Sequence, residues 1–173
     1  MTARTAGFNT IDIGAMSQAS LFLIMILMFI GASPGGTGGG IKTTTFGALL
    51  AAMSAIVRGE RDVTFFNRRL SHDLLLRAFT IALLSLSLVA AVTLVCMAMG
   101  KQSFMNTLFE VTSAFGTVGL SAGITFDLSS AQKVLIIITM FCGRLGPLTM
   151  AMALASSAQR KQYRLPAEEI LIG

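Results

Sequence analysis

Apolar residues run along the chain in long stretches separated by short polar ones, and three stretches set the expected architecture. From Ala78 to Met99 no charge interrupts the run. As a helix it is long enough to cross a hydrocarbon core of about 30 Å. From Val134 to Ser157 a single charge, Arg144, stands inside a second such run. The stretch from Ser17 to Val57 also carries one charge, Lys42, but holds "GASPGGTGGGIKTTT" in its middle. One straight helix there would measure roughly 60 Å, about twice the membrane core. Glycine and proline at that density do not continue a helix. The pattern predicts a broken span: helix from Ser17 to Ile30, a glycine loop, then helix from Thr45 to Val57. The two halves together cross once, with the loop at membrane depth.

A shorter segment, "SFMNTLFEVTSAF", places Phe104, Leu108, Val111 and Phe115 at helical spacing but is too short to span. It is followed by the irregular "GTVGLSAG". A short apolar helix and an irregular strand between two spans reads as a re-entrant loop.

Composition supports this reading. Of 173 residues, 54% are hydrophobic and 12% charged; soluble domains carry about twice that charge. A secretory signal is not expected, because the first apolar run is too long for an h-region. The net charge of +5 gathers in two places. Arg58, Arg61, Arg68, Arg69 and Arg77 cluster between spans, and Arg160, Lys161 and Arg164 in the tail. Short basic stretches beside apolar spans mark the cytoplasmic side rather than a nucleic-acid surface. The segment from Gly100 to Ala131 is then expected outside. Cys96 and Cys142 fall in apolar runs without ligand spacing and read as small hydrophobes.

A shift of 112 residues places Thr5 on Thr117, Gly7 on Gly119, Phe8 on Leu120, Asn9 on Ser121 and Gly31 on Gly143. Thr-x-Gly-apolar-polar thus occurs twice, each time ahead of a span interrupted by glycine. The second copy is a complete helix, loop and helix, and the first begins in the middle of its loop. Such units need neighbours for burial, so the chain is expected to be truncated at its N-terminus.

Thr117–Ser121 is the first candidate for chemistry. Carbonyls freed from a helix in lipid must be satisfied by protein, water or an ion. Several such loops around an axis present a ring of oxygens that replaces a cation's hydration shell. The preceding short helix aims its negative end at the same point. An ordinary glycine-containing turn is the bland alternative. In Gly35–Gly40 a phosphate loop fails, because Ile41 rather than glycine precedes Lys42; close packing through small residues stays open. Arg144, costly against lipid, reads from its neighbours as satisfying carbonyls at a kink near Gly143, Gly146 and Pro147. Glu110 reads as a hydrogen-bonded structural acid and His72 as a surface residue. Asp12 and Asp127 are either cation-concentrating acids at an outer mouth or solvated loop acids. One histidine and no base beside a nucleophile leave nothing on which to build an enzyme.

"TAGFNT", "GASPGGTGGGIKTTT", "SAFGTVGLS" and "GRLGPLT", in that order, make the chain resemble the Trk/Ktr/HKT superfamily of potassium transporters, specifically its TrkH/KtrB-type membrane subunit. The resemblance implies an all-α integral membrane fold built from channel-like pore-loop units (helix, re-entrant pore helix and filter, helix), four to a chain around one pore. Residues 1–57 would close the third unit with its filter segment and glycine-broken inner helix. Residues 58–77 would form the basic cytoplasmic linker, 78–157 the whole fourth unit and 158–173 a cytoplasmic tail. The first two units and the front of the third would be missing, so conduction by this chain alone is not expected.

By position, the third filter segment would be Thr5, Ala6, Gly7, Phe8 and Asn9, and the fourth Thr117, Val118, Gly119, Leu120 and Ser121. Their main-chain carbonyls would hold K⁺, in some members Na⁺, and no cofactor is implied. Gly35, Gly36, Gly38, Gly39, Gly40 and Lys42 would form an intramembrane gating loop, with Arg144 facing the pore beside it. The implied setting is the bacterial inner membrane, as a multi-pass protein in the lipid bilayer. The implied partners are a second full subunit, making a homodimer, and a cytosolic nucleotide-binding regulatory subunit. Two other readings remain: a non-conducting membrane interaction fragment, and a secondary transporter with broken helices. The parallel repeat weighs against the latter.

Overall fold

The computed structural model describes residues 3, 6–60, 62–65, 68–146 and 149. Its elements run α1 (Gln18–Phe29), α2 (Thr43–Val57), a ribbon of β1 (Thr64–Phe65) and β2 (Arg68–Arg69), α3 (His72–Met99), α4 (Phe104–Gly116) and α5 (Ser130–Leu145). Short 3₁₀ turns, Ile13–Ala15 and Thr125–Asp127, precede α1 and α5. Thr5, Arg61, Pro147 and the basic tail residues lie outside the described residues, as does the expected last span beyond Leu145 apart from Gly146 and Thr149.

The expected helix pair around the glycine loop is present, with α2 starting two residues earlier than Thr45. The backbone N–H of Gly31 donates to Ile41 O at 2.8 Å, and that of Ile41 to Phe29 O at 3.1 Å. Ile30 and Ile41 form a parallel bridge, so the chain resumes beside the point where it left off and in the same direction. The loop is a closed lobe set into a helix path.

Boundaries elsewhere differ from the apolar runs. α3 begins at His72 rather than Ala78, so the last residues of the expected 58–77 link, Arg77 among them, are helical. Leu74, Leu75 and Leu76 carry the helix back to Ser71, and arginine keeps its head polar on a long apolar stem. α5 begins at Ser130 rather than Val134 because Ser129 and Gln132 form a reciprocal capping box. The segment between α2 and α3 is not wholly irregular: Thr64 pairs with Arg69 and Phe65 with Arg68, antiparallel.

Among the described residues, one helix, α3, is long and apolar enough to cross a membrane; α1 and α2 are shorter apolar helices. Their outer faces are greasy, with Phe79, Leu83, Leu86 and Leu94 on α3 and Phe22 and Leu23 on α1 exposed. The inner faces of α3 and α5 hold small polar residues. The hydroxyls of Ser85, Thr93 and Thr139 are buried and donate to the carbonyls of Ile81, Val89 and Leu135 one turn back, at 2.7, 2.7 and 2.8 Å. Hydroxyls satisfied within their own helix let backbones approach closely, the packing mode of helices in lipid.

α4 is the hub. It packs against α1, α3 and α5, and every residue from Phe109 to Gly116 is buried. One side joins Ile13, Met25, Met28 and the loop residues Val118 and Leu120 around Phe109. The other gathers Val89, Ile124, Leu128 and Ile136 around Val111 and Phe115. The short helix is thus held in the middle of the structure, and it delivers the loop that follows to a fixed place.

Candidate functional site: two glycine-hinged loops

α4 ends in a left-handed turn. Thr117 has φ 53° and ψ 39°, uncommon for a β-branched residue. Its N–H donates to Ala114 O at 3.0 Å and that of Val118 to Ser113 O at 2.9 Å, closing the helix end. Beyond it the chain runs extended with alternating sides. Val118, Leu120, Ala122 and Ile124 are buried, while Gly119 and Gly123 are exposed. The apolar side chains anchor the loop in the core and leave its backbone open at Gly119, whose φ is +87°. On the other side of this anchored loop, Glu110 accepts hydrogen bonds from the hydroxyls of Ser121 and Thr125.

The other expected filter segment meets this loop at the corresponding glycine. Gly7 also has positive φ, +65°. A Cβ placed on Gly7 would stand 2.9 Å from Val118 O and 3.8 Å from Gly119 Cα. No other residue fits that contact without moving backbone. Around it Ala6 and Asn9 are exposed, and Phe8 is 84% exposed. Asn9 donates through Nδ2 to Ile11 O at 3.0 Å. Asp12 caps the first 3₁₀ turn, accepting from Gly14 N–H at 2.9 Å. Asp127 is an exposed loop residue whose carbonyl accepts from Gln102.

The glycine loop docks beneath. Its tip, Ser33–Thr37, is exposed and its base, Gly38–Ile41, is buried. Gly35 and Gly40 take φ of +86° and +77°. Polar contacts hold the loop to α4, to α5 and to itself. Gly39 N–H donates to the Thr117 hydroxyl at 2.9 Å. Lys42 Nζ donates to Gly38 O at 2.7 Å, and Arg144 Nη1, from α5, donates to Thr37 O at 3.0 Å. Apolar closeness adds to them. A Cβ on Gly39 would lie 2.8 Å from Phe115 O and 3.1 Å from Gly143 O, and one on Gly143 would run into Phe115 O itself. Three backbones converge at the end of α4 because glycine stands on both neighbours.

Thr117, Val118 and Gly119 border one side of an open cavity of about 480 Å³, and Ile137, Phe141 and Arg144 border the other. The structure therefore brings Gly7, the Thr117–Ser121 loop, the Gly38–Gly40 base, Lys42 and Arg144 into one region. It leaves Gly35 and Gly36 on an exposed tip. The sequence pattern marks Thr117 for its carbonyl and carries no sign that its hydroxyl is the loop's docking acceptor, because the contact joins residues 78 apart. Among the described residues no group of three or more His, Cys, Asp or Glu is placed to hold a metal. The oxygens named here are carbonyls and hydroxyls, and Thr37 O, Gly38 O and the Thr117 hydroxyl each accept from a donor within the protein.

Residues 1–163 match the TrkH family, described as a cation transport protein. The chain belongs to this family of membrane transporters, which are not enzymes. It is 44% identical to the Ktr system potassium uptake protein D of Bacillus subtilis over 98% of its residues, which is 38% of that protein. It is 41% identical to the potassium/sodium uptake protein NtpJ of Enterococcus hirae over all of its residues and 40% of that protein. It is 37% identical to the Ktr system potassium uptake protein B of Vibrio alginolyticus. The chain spans about two fifths of the length of the curated relatives it matches.

Proposed function

We propose that this chain contributes two of the filter segments, and one gate, to a pore that takes up K⁺ across the bacterial inner membrane. The observation that carries the reading is the meeting of Gly7 and Gly119, both left-handed and packed backbone to backbone. Each loop is followed by a 3₁₀ turn, an N-capping serine (Ser17, Ser129) and an apolar helix. The 112-residue shift that pairs the glycines also pairs Ile13 with Thr125, Ser17 with Ser129 and Gln18 with Ser130. Parallel copies disposed this way are what a ring of filter loops requires. Relatives named for potassium uptake supply the cargo, and one is named for potassium and sodium.

In this reading residues 1–57 end one pore-loop unit, 58–77 link it on the cytoplasmic side to the unit 78–157, and 158–173 form the tail. K⁺ passes Thr117–Ser121 and Thr5–Asn9 through main-chain carbonyls. The loop Gly35–Gly40 with Lys42 lies across the path below, pinned by Arg144, whose positive charge opposes a resting cation. Two further pore-loop units complete the ring. Full subunits pair as homodimers and take a cytosolic nucleotide-binding regulator.

The test joins the N-terminal part of the Bacillus subtilis relative to this chain, in cells lacking their own K⁺ uptake systems. The chimera should restore growth at low K⁺, and Gly119→Ser should reduce its preference for K⁺ over Na⁺. Growth and ion preference indifferent to Gly119 would return the loop to an ordinary turn.

A further inference from the structure

The return limb of the Thr117–Ser121 loop is tied to α4 through Glu110. Glu110 is 7% exposed, and its Oε1 accepts from two hydroxyls. Ser121 Oγ donates to it in a short contact, and Thr125 Oγ1 donates at 2.6 Å. The two hydroxyl oxygens lie 2.7 Å apart, and Ser121 Oγ also accepts the N–H of Gly123 at 3.0 Å. One buried carboxylate thus gathers two side chains and, through Ser121, a backbone amide, all on the far side of the loop.

We propose that Glu110 is the positioning residue that sets ion preference at this filter segment, resting on the K⁺-pore reading above. Gly119 and Gly123, with φ of +87° and +91°, are joints at either end of the limb between them. A Cβ on Gly123 would meet nothing within 4 Å, so close packing does not hold that joint. Glycine joints swing at little cost, and the limb needs an outside restraint to keep one register. Leu120 and Ala122 anchor it on the core side. Glu110 anchors it at Ser121 and Thr125, on the polar side. Hydrogen bonds to a charged acceptor are stronger and more directional than neutral ones. Discrimination between K⁺ and Na⁺ depends on how many carbonyls face the ion and at what spacing. A limb free to slide about Gly119 changes both. Glu110 itself touches no ion; it acts through Ser121 and Thr125.

The experiment uses the chimeric full-length subunit described above, reading K⁺ uptake, its competition by Na⁺, and the amount of protein in the membrane. Glu110→Gln keeps the shape and an acceptor oxygen but removes the charge. It is expected to lower K⁺ preference over Na⁺ by about fivefold, the gap between charged and neutral acceptors, at unchanged protein level. Ser121→Ala and Thr125→Ala should each lower it by a smaller factor. Combining either with Glu110→Gln should add little, because partners in one network do not add. Ion preference unchanged in Glu110→Gln, Ser121→Ala and Thr125→Ala, with all three present in the membrane, overturns the proposal. So does full additivity. If Glu110→Gln does not accumulate, the two hydroxyl variants decide alone. Gly119→Ser, run alongside, separates the readings: preference that shifts there but not at Glu110 sinks the positioning role only. Preference that shifts at neither sinks both.

Discussion

The Thr117 hydroxyl accepts the backbone N–H of Gly39 at 2.9 Å, so the loop after α4 and the glycine loop share a hydrogen bond. The acceptor sits on a residue held at φ 53°, where a β-branched side chain is strained. Strain retained at such a point means the neighbouring structure fixes it: the capped end of α4 on one side and Val118 in the core on the other.

Thr117→Val keeps the branch and the strain and removes only the acceptor. One neutral hydrogen bond contributes about 0.5–1.5 kcal/mol, so the docked and undocked states of the glycine loop should shift by roughly twofold to tenfold toward undocked. Basal K⁺ uptake of the chimera should rise by that factor, and Thr117→Ser, which keeps the oxygen, should stay near the parent. Equal uptake in Val and Ser variants would remove the hydroxyl from gating.

Gly143 lies inside α5, where alanine favours the helix by about 1 kcal/mol. The added Cβ, however, would collide with Phe115 O and stand 2.8 Å from Phe115 C. Backbone atoms at a helix crossing do not rotate away as a side chain would, and overpacking costs about 1–3 kcal/mol. The collision outweighs the propensity gain. Gly143→Ala is expected to lower the melting temperature of the detergent-solubilised protein by a few degrees. Gly35→Ala is the contrast. Nothing lies within 4 Å of the added carbon, but its φ of +86° is one alanine rarely adopts, so the melting temperature should fall through backbone strain alone, about 1–2 kcal/mol, with no collision.

Gln132, 1% exposed, joins two helix ends. Its Oε1 accepts from Ser129 N–H at 2.8 Å and its Nε2 donates to Cys96 O at 2.8 Å, near the end of α3. Gln132→Leu approximates the volume and strands a buried carbonyl, a loss of about 1–3 kcal/mol. Gln132→Glu keeps the acceptor, loses the donor and buries a charge, and should be worse. Melting temperatures in the order parent, Leu, Glu would bear this out; Glu above Leu would contradict it.

What the sequence disclosed and withheld follows from the range of the interactions. The break between α1 and α2 was legible because glycine and proline in "GASPGGTGGG" forbid helix locally, whatever surrounds them. The short helix before Gly116 was legible from its spacing of apolar residues. The start of α5 was misplaced at Val134, because the apolar run begins there while the Ser129–Gln132 box that nucleates the helix lies upstream. The clustered glycines announced that backbones approach closely. They did not say which: that Gly39 and Gly143 both close on Phe115 O is fixed by how α1, α4 and α5 pack, and no local pattern carries it. The Glu110–Ser121–Thr125 cluster lay within one short stretch, and a search for hydroxyls near the lone acid of α4 had the signal to find it.

Two cations hold neighbouring carbonyls of the glycine loop, and they differ in what they connect. Lys42 Nζ reaches Gly38 O from four residues away, so it folds the loop upon itself. Arg144 reaches Thr37 O across 107 residues and ties the loop to α5. In the proposed gate the loop undocks by breaking the Arg144 contact together with the Gly39–Thr117 bond, while the Lys42 contact stays within the loop. Arg144→Met removes the donor and the charge. Hydrogen bonds from charged groups contribute about 1.5–3 kcal/mol, and this side chain is exposed, which places it at the low end. Basal K⁺ uptake should rise about tenfold. Arg144→Gln retains a donor and removes the charge, so its uptake divides the two effects: a rise equal to that of Arg144→Met assigns the barrier to charge, and a rise near zero assigns it to the bond. Lys42→Met should change uptake less than Arg144→Met, since its contact moves with the loop. A larger effect at Lys42 than at Arg144 would show that the loop opens by unfolding rather than by undocking.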